Sequence, residues 1–241
     1  MLRRKLILLI IIIMSALRLT GQEETSELTR ISLVYPVYSQ YLHNGLLINP
    51  AYAGTREALS FFASGRMQWA GIDGAPVSQT LSLHTLLKNN HVGLGFSGQF
   101  FKYGFSRTTS VYADYAYHIM LGKSRLSMGL RTGFDMSNTD YSGIVLINPN
   151  DPVFISNDKP YFLPNVGTGI YFSSNKFFIG AAVPAFLSYL KSSSGEISFD
   201  TFTSFDVLLT AGALISFSPA FRIKPSVFVD YPFQESGDVR F

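Results

Sequence analysis

Hydrophobic and polar residues alternate with a period of two along most of the chain beyond residue 58, and this alternation predicts β-strands. Residues 126–135 show the pattern most clearly. One face of that segment would carry the larger, mostly apolar side chains Leu126, Met128, Leu130, Thr132 and Phe134. The other face would carry the small or charged residues Ser127, Gly129, Arg131, Gly133 and Asp135. A helix would scatter both sets around its axis, so the segment is predicted to be a strand.

Nine segments of this kind follow one another along the chain. They cover residues 59–68, 77–86, 92–100, 111–120, 126–135, 166–173, 177–186, 207–217 and 221–230. The tight turn signal Gly122-Lys123-Ser124 joins the fourth segment to the fifth, which predicts an antiparallel hairpin. Several glycines fall on the face expected to be interior, namely Gly93, Gly95, Gly129, Gly133, Gly167 and Gly169. Glycine weakens a strand, but it permits curvature and the close approach of an inner segment.

The connections between these segments alternate in length. Short turns lie near Asn89, Lys123, Asn175 and Pro219, and longer links cover residues 68–76, 138–164 and 187–204. The long links are rich in Asn, Asp, Pro, Ser and Gly, which predicts exposed loops. Residues 231–238 are predicted as a further loop, and residues 239–241 as the beginning of another strand. The alternation of short and long connections is expected of a barrel with one end in the periplasm and the other outside the cell.

The composition favours a membrane protein over a soluble one. Hydrophobic residues make up 47% of the chain and charged residues only 15%, against about 25% charged in soluble domains. Beyond the N-terminus no apolar run is long enough for a spanning helix, so the predicted fold is all-β, a transmembrane antiparallel β-barrel. The alternative is a soluble β-sheet with a glycine-rich core, which the low charge disfavours. Basic residues are scattered, so nucleic-acid binding is not predicted.

The N-terminus has the pattern of a secretory signal peptide. Three basic residues at 3–5 precede the apolar run 6–17, and cleavage is expected near Gly21 or Gln22. An uncleaved N-terminal anchor is the alternative, although Arg18 interrupts the apolar run early. The predicted organisation is a signal peptide at 1–21, a periplasmic or plug-like segment at 22–57 and barrel strands at 58–241. The chain has no cysteine, which excludes a lipoprotein anchor, disulfides and thiolate metal sites.

Two sequence blocks carry a family resemblance. The first runs from Tyr38 to Gly54 (YSQYLHNGLLINPAYAG) and the second from Arg66 to Thr80 (RMQWAGIDGAPVSQT). In this order they resemble the PorP/SprF family, outer-membrane β-barrel proteins of the type IX secretion and gliding machinery. The resemblance implies a non-enzymatic role in anchoring or assembling secretion or adhesin complexes. It also implies partners among periplasmic ring or motor components or cell-surface adhesins, in addition to outer-membrane lipid.

The chain also departs from that family. Its members usually run longer, with further strands after the position of Phe241, and bacterial single-chain barrels normally have an even number of strands. Nine strands and three final residues therefore predict a barrel that is C-terminally truncated relative to the family. The alternative is that Phe241 is the C-terminal aromatic residue that outer-membrane proteins often carry.

The sequence contains little that predicts catalysis. The histidines His43, His84, His91 and His118 are isolated, and no pair has the spacing of metal ligands. No Gly-x-Ser-x-Gly motif is present, and the two Gly-x-Gly matches lie inside strands without a following helix. We therefore expect neither an enzyme nor a cofactor or metal site. The rival functions are an outer-membrane porin or hydrophobic-substrate channel and, less favoured, an outer-membrane enzyme with a site assembled across strands.

Two groups of residues are candidates for function. The first lies in the family-like blocks and is a possible docking or plugging surface: Tyr41, Asn49, Pro50, Tyr52, Gly54, Trp69, Asp73 and Gly74. Residues 49–54 are expected to form a turn that either docks a partner or caps one barrel end. The second group, on adjacent strands, is Asp114, His118, Arg131 and Asp135. They predict either a polar constriction or an interior salt-bridge network that fills the barrel.

Aromatic residues near the predicted strand ends indicate an interfacial girdle. They are Trp69, Tyr103, Tyr117, Tyr171 and Tyr231. Such residues collect where membrane strands leave the hydrocarbon region, because their rings are apolar and their polar atoms reach water. Core packing is the alternative for any one of them.

Overall fold

The computed structural model describes residues 29–30, 42–88, 90–139, 160–191, 197–201, 204–216 and 222–234. Within these ranges the chain is almost entirely β-structure, which confirms the predicted all-β class. The strands are β1 Thr29–Arg30, β2 Ser60–Met67, β3 Val77–Leu86, β4 Val92–Tyr103, β5 Ser106–Leu121, β6 Ser124–Thr139, β7 Tyr161–Ser173, β8 Phe177–Val183, β9 Leu187–Lys191, β10 Ile197–Thr201, β11 Ser204–Ala213, β12 Ile215–Ser216, β13 Arg222–Ile223 and β14 Ser226–Gln234. A short 3-10 helix spans Pro50–Tyr52. The predicted signal peptide and Tyr41 lie outside the described residues.

Nine strands form one large sheet in the order β14-β11-β8-β7-β6-β5-β4-β3-β2. Every neighbouring pair is antiparallel, as the hairpin signals predict. The longest pairing joins β5 to β6, from Ser106 opposite Thr139 to Leu121 opposite Ser124. Gly122 closes this hairpin with a φ of 63°, a conformation that costs glycine little. All nine predicted strand segments contribute to the sheet.

The sheet curls strongly around the residues that precede it. The ring of Tyr52 lies 5.6 Å from the ring of His84 on β3 and 5.5 Å from that of Tyr171 on β7. β3 and β7 are four strands apart, a separation of about 19 Å in a flat sheet. One tyrosine touches both, so the sheet must bend around it.

Strands β2 and β14 are the two edges of the large sheet. In the ranges that the structure describes, they do not pair with each other. Because there are nine strands and only antiparallel pairs, the two edge strands run in the same direction. Direct pairing of these edges would therefore be parallel, and a purely antiparallel barrel requires an even number of strands.

Several predicted boundaries were wrong. The segment predicted at 177–186 ends at Val183, because the chain turns inward at Pro184. Residues 231–234, predicted as loop, extend β14 and pair with β11. The link 187–204, predicted as an exposed loop, contains the β9–β10 hairpin, and Tyr189 in it is buried. The period-two signal is weak where a strand is short or contains proline, which explains these errors.

The two faces of the sheet are the reverse of those in a soluble β-protein. Large apolar side chains are exposed on the outward face, among them Phe61, Leu83, Phe96, Tyr115, Met128, Leu130, Ile170, Ile179, Leu209 and Val229. The inward face buries polar and charged side chains, among them Ser82, His84, Ser97, Asp114, His118, Arg125, Ser127, Arg131, Asp135, Asn165 and Thr210. The described part of the chain holds no helix with the length and hydropathy of a membrane span.

Candidate functional site

Residues 42–57, here called the inner segment, occupy the concave side of the curled sheet. Most of its residues from Asn44 to Gly54 are buried. The segment reaches the sheet backbone where strands carry glycine. A β-carbon on Gly129 would stand 2.1 Å from the Ala51 nitrogen, and one on Gly93 would stand 2.2 Å from the Ala53 oxygen. These distances are far below van der Waals contact, so the interior glycines make room for the segment.

Asn49 joins the inner segment to the far side of the sheet. Its side-chain oxygen accepts a hydrogen bond of 2.9 Å from the Ala51 N–H and thereby caps the 3-10 helix. Its side-chain nitrogen donates to the Ile170 carbonyl on β7 at 3.0 Å and to the Ala181 carbonyl on β8 at 3.4 Å. One amide thus shapes the helix and binds two strands.

Arg131 on β6 holds the centre of the segment. Its guanidinium donates to the Leu47 carbonyl at 2.8 Å and also to the Leu46 carbonyl. Nε lies 2.7 Å from Oδ1 of Asp114 on β5, and both side chains are almost fully buried. The Tyr112 ring packs against the same guanidinium, 5.4 Å from its carbon. A buried cation with a carboxylate and two carbonyls is well compensated, and it orients the segment's backbone.

The end of the segment is bound near the short turns of the sheet. Arg125 on β6 donates to the Thr55 carbonyl at 3.2 Å and forms an ion pair with Glu57. His84 on β3 accepts a hydrogen bond from the Gly54 N–H at its Nδ1, at 3.1 Å. Arg56 donates back to the His43 carbonyl at 3.0 Å, which closes the segment on itself.

Three of the four predicted lumen residues are connected, because Tyr112 contacts both Arg131 and Asp135, whereas His118 lies apart. Asp114 and Arg131 form an ion pair. Asp135 instead accepts hydrogen bonds from Ser110, at 2.5 Å, and from Tyr112. His118 lies further along β5, where its Nδ1 is 2.7 Å from the Ser127 hydroxyl. Sequence reasoning did not assign Arg125 and His84 to the site, because a partner on the inner segment cannot be read from the strands alone.

A second stretch of chain enters the concave side at the opposite end of the sheet. After β8, the Phe186 N–H donates to the Val166 carbonyl at 2.9 Å. The Asn165 side chain then donates to the Leu187 carbonyl at 2.9 Å and accepts from the Leu187 N–H at 3.0 Å. Tyr189 donates to the Pro164 carbonyl. We call residues 184–191 the inner link, and these bonds join it to residues 164–166 of β7.

The second family-like block forms an exposed cleft at that same end of the sheet. The loop between β2 and β3 and the turn between β4 and β5 line this cleft, which has a volume of about 610 Å³. The candidate residues Trp69, Asp73 and Gly74 line it. The Gly104 N–H donates to the Gly74 carbonyl at 2.8 Å and joins loop to turn. These residues are thus far from Asn49, Pro50, Tyr52 and Gly54, which belong to the inner segment.

One of the predicted girdle residues lies elsewhere. Tyr171 is on the inward face, where its ring contacts Tyr52 and Phe178. Trp69, Tyr103, Tyr117 and Tyr231 are exposed. The prediction for Tyr171 was wrong because alternation along β7 places it on the same inward face as Gly167 and Gly169, so its position near a turn does not put it on the outer surface. In the ranges that the structure describes, no group of three or more His, Cys, Asp or Glu side chains is arranged to hold a metal ion.

Among the comparisons with known proteins, a family model matches the chain. Neither the curated proteins nor the solved structures yielded a significant match. The family model described as type IX secretion system membrane protein PorP/SprF matches residues 32–240. That range includes the inner segment, the nine-stranded sheet and the cleft around Trp69. The chain therefore belongs to the PorP/SprF family of type IX secretion system membrane proteins.

Proposed function

We propose that the chain is a non-enzymatic component of the outer membrane that anchors or assembles complexes of the type IX secretion or gliding machinery. In this proposal residues 1–21 are a secretory signal peptide, residues 22–57 form a periplasmic or plug-like segment, and residues 58–241 contribute the strands of a transmembrane barrel. The partners are periplasmic ring or motor components or surface adhesins. The apolar outward face supports contact with lipid tails, since large apolar surfaces are otherwise buried.

The observation that carries the proposal is that two stretches of the chain, the inner segment and the inner link, lie on the concave side of the sheet. The inner segment occupies one end and the inner link the other, and both are bound by buried polar side chains. Between the inner segment and strands β7, β8 and β11 a cavity of about 40 Å³ remains. A space of this size holds only a few water molecules. Such an interior suits a scaffold and disfavours a solute channel.

Conductance measurements separate the scaffold from the porin. Purified protein in planar bilayers is expected to show no stable open pore. Deletion of residues 42–57 is expected to produce ion conductance, because it empties one end of the interior. The control is Lys123→Gln, in the exposed turn between β5 and β6, which should leave the bilayer sealed. A stable open pore in the wild-type protein would support the channel instead.

The role in secretion is tested in the cell. Deleting the gene in a strain without a second copy is expected to abolish surface display of cargo or adhesins, and the wild-type gene should restore it. Affinity purification from detergent-solubilised outer membrane should recover periplasmic machinery components or adhesins. Normal export in the deletion strain would contradict the proposal.

A further inference from the structure

Two cations face each other on the outward surface beside the Trp69 cleft. Lys102 near the end of β4 pairs directly with Arg107 near the start of β5. By alternation, both project from the same face as Phe96, the face that exposes apolar side chains. Both also line the cleft of about 610 Å³. The cations therefore lie where the apolar outer surface ends and the loops begin.

This arrangement is unfavourable unless an anion is present. Like charges directly opposite each other on paired strands destabilise a sheet. Neither cation forms an ion pair with a carboxylate among the residues that the structure describes. Asp73 lines the same cleft and lowers its positive charge, but one carboxylate leaves an excess of one positive charge over these three side chains. The charge of the cleft is complementary to an anion.

The rest of the cleft is apolar. Trp69, Ile72 and Phe105 line it, and all three are exposed. Trp69 has a φ of 51°, a left-handed conformation that is rare for a bulky aromatic residue. Strained backbone of this kind persists where the surrounding structure imposes it, and it is concentrated at binding sites. The cleft thus combines two cations with an apolar wall on a surface that meets the membrane.

We propose that this cleft binds the phosphate-bearing headgroup of a membrane lipid, with Lys102 and Arg107 facing the phosphate. The apolar wall contacts the hydrophobic part of the same molecule. A lipid fits both features, whereas a free anion uses only the cations. Cations at the edge of a membrane surface attract anionic lipid, and aromatic rings anchor at the same depth. The inference rests on the membrane placement given under the proposed function.

Trp69 is the only tryptophan in the chain and lines the cleft, so its fluorescence reports on binding. Full-length protein in dodecyl maltoside micelles is titrated with dioleoyl phosphatidic acid, with dioleoylglycerol or with inorganic phosphate. Phosphatidic acid is expected to change the Trp69 emission saturably, and the other two should not. The double variant Lys102→Gln, Arg107→Gln should weaken the apparent affinity for phosphatidic acid by about tenfold or more.

The matched control is the double variant Lys88→Gln, Lys123→Gln, which removes the same charge at turns on the opposite end of the sheet. It should bind phosphatidic acid like the wild type. An equal response to dioleoylglycerol, saturation by inorganic phosphate alone, or unchanged affinity in the Lys102/Arg107 variant would overturn the inference. A protein that supports export but does not bind phosphatidic acid would refute this inference and leave the proposed function standing.

Discussion

At the scale of single residues, the interior depends on polar groups that serve two elements at once. Arg131 binds a carboxylate on the neighbouring strand and two carbonyls on the inner segment. Asn49 caps a helix and binds two strands. Because these groups are buried, each hydrogen bond replaces one to water, and loss of a partner leaves its neighbours unsatisfied.

The substitution Arg131→Met tests this dependence. It leaves the Asp114 carboxylate, with 2% of its surface exposed, without its cation. Breaking a buried ion pair from one side lowers the free energy of unfolding by about 3 to 5 kcal/mol. Equilibrium unfolding in urea of protein folded in detergent micelles measures the loss. The double variant Arg131→Met, Asp114→Leu should lose less, and Lys123→Gln, in an exposed turn, should change little. Equal losses for the single and double variants would refute the account.

Gly129 tests the contact between the inner segment and the sheet. In Gly129→Ala the new β-carbon overlaps the Ala51 nitrogen, so the segment or the strand must move. Overpacking of this kind lowers the free energy of unfolding by about 1 to 3 kcal/mol. Hydrogen exchange of the Ala51 amide should accelerate in the same variant. Gly98→Ala is the control, since no atom lies within 4 Å of its β-carbon position. Equal changes in the free energy of unfolding and in Ala51 amide exchange for the two variants would mean that the segment is not in close contact with β6.

At the scale of elements, the inner segment and the inner link lie on the concave side of the nine-stranded sheet. The inner segment contacts β5, β6 and β7 most closely through its 3-10 helix. The inner link contains β9, which pairs with β1 and β10, and it is joined to β7 by Asn165, whose side chain both donates to and accepts from the Leu187 backbone. The side-chain bonds of Arg131, Asn49 and Asn165 therefore join these two stretches to the sheet.

Asn165→Ala should release the inner link without disturbing the nine-stranded sheet. The Leu187 N–H and carbonyl lose their partner, which costs about 1 to 3 kcal/mol for a buried unsatisfied group. The expected result is faster hydrogen exchange at Leu187 and its neighbours, together with unchanged exchange in β5 and β6. Asn175→Ala, in the exposed turn between β7 and β8, is the control. Uniformly faster exchange over the whole sheet would indicate that Asn165 supports the sheet and not the link.

At the scale of the whole molecule, the outward face is apolar and the inward face polar. This inversion is stable only if the outward face contacts something other than water. Membership in a family of membrane proteins agrees with lipid as that surrounding. The position of a residue along its strand sets its depth in the bilayer, and this depth determines how much stability a charge on the outward face removes.

Leu130→Arg tests the lipid contact directly. Leu130 lies near the middle of β6 on the outward face and is 62% exposed. A charge at the bilayer midplane reduces the stability of the inserted protein by about 2 to 4 kcal/mol, and one near the interface by about 0 to 1 kcal/mol. Unfolding from lipid vesicles should therefore show a large loss for Leu130→Arg and a small one for Leu121→Arg, at the strand end. Equal small losses would mean that water covers this face.

The sequence alone determined the class, the nine large strands, their antiparallel neighbours and the identity of the two faces. These features are local, because side-chain alternation and turn residues act over a few positions. The interior position of the glycines also followed from alternation. The strand ends and the inward course of the inner link did not follow, since each depends on contacts with a neighbouring element.

Only the tertiary structure decided how the interior is filled. Asn49 binds the Ile170 carbonyl across 121 residues of sequence, and Arg131 reaches the Leu46 carbonyl across 85. No local pattern encodes such pairs, because the curvature of the sheet, built by all its strands together, brings them within reach. Among the predicted lumen residues, Asp114, Arg131 and Asp135 are connected through Tyr112, whereas His118 bonds with Ser127. Alternation determines which way a side chain points, whereas the folded chain determines what it meets there.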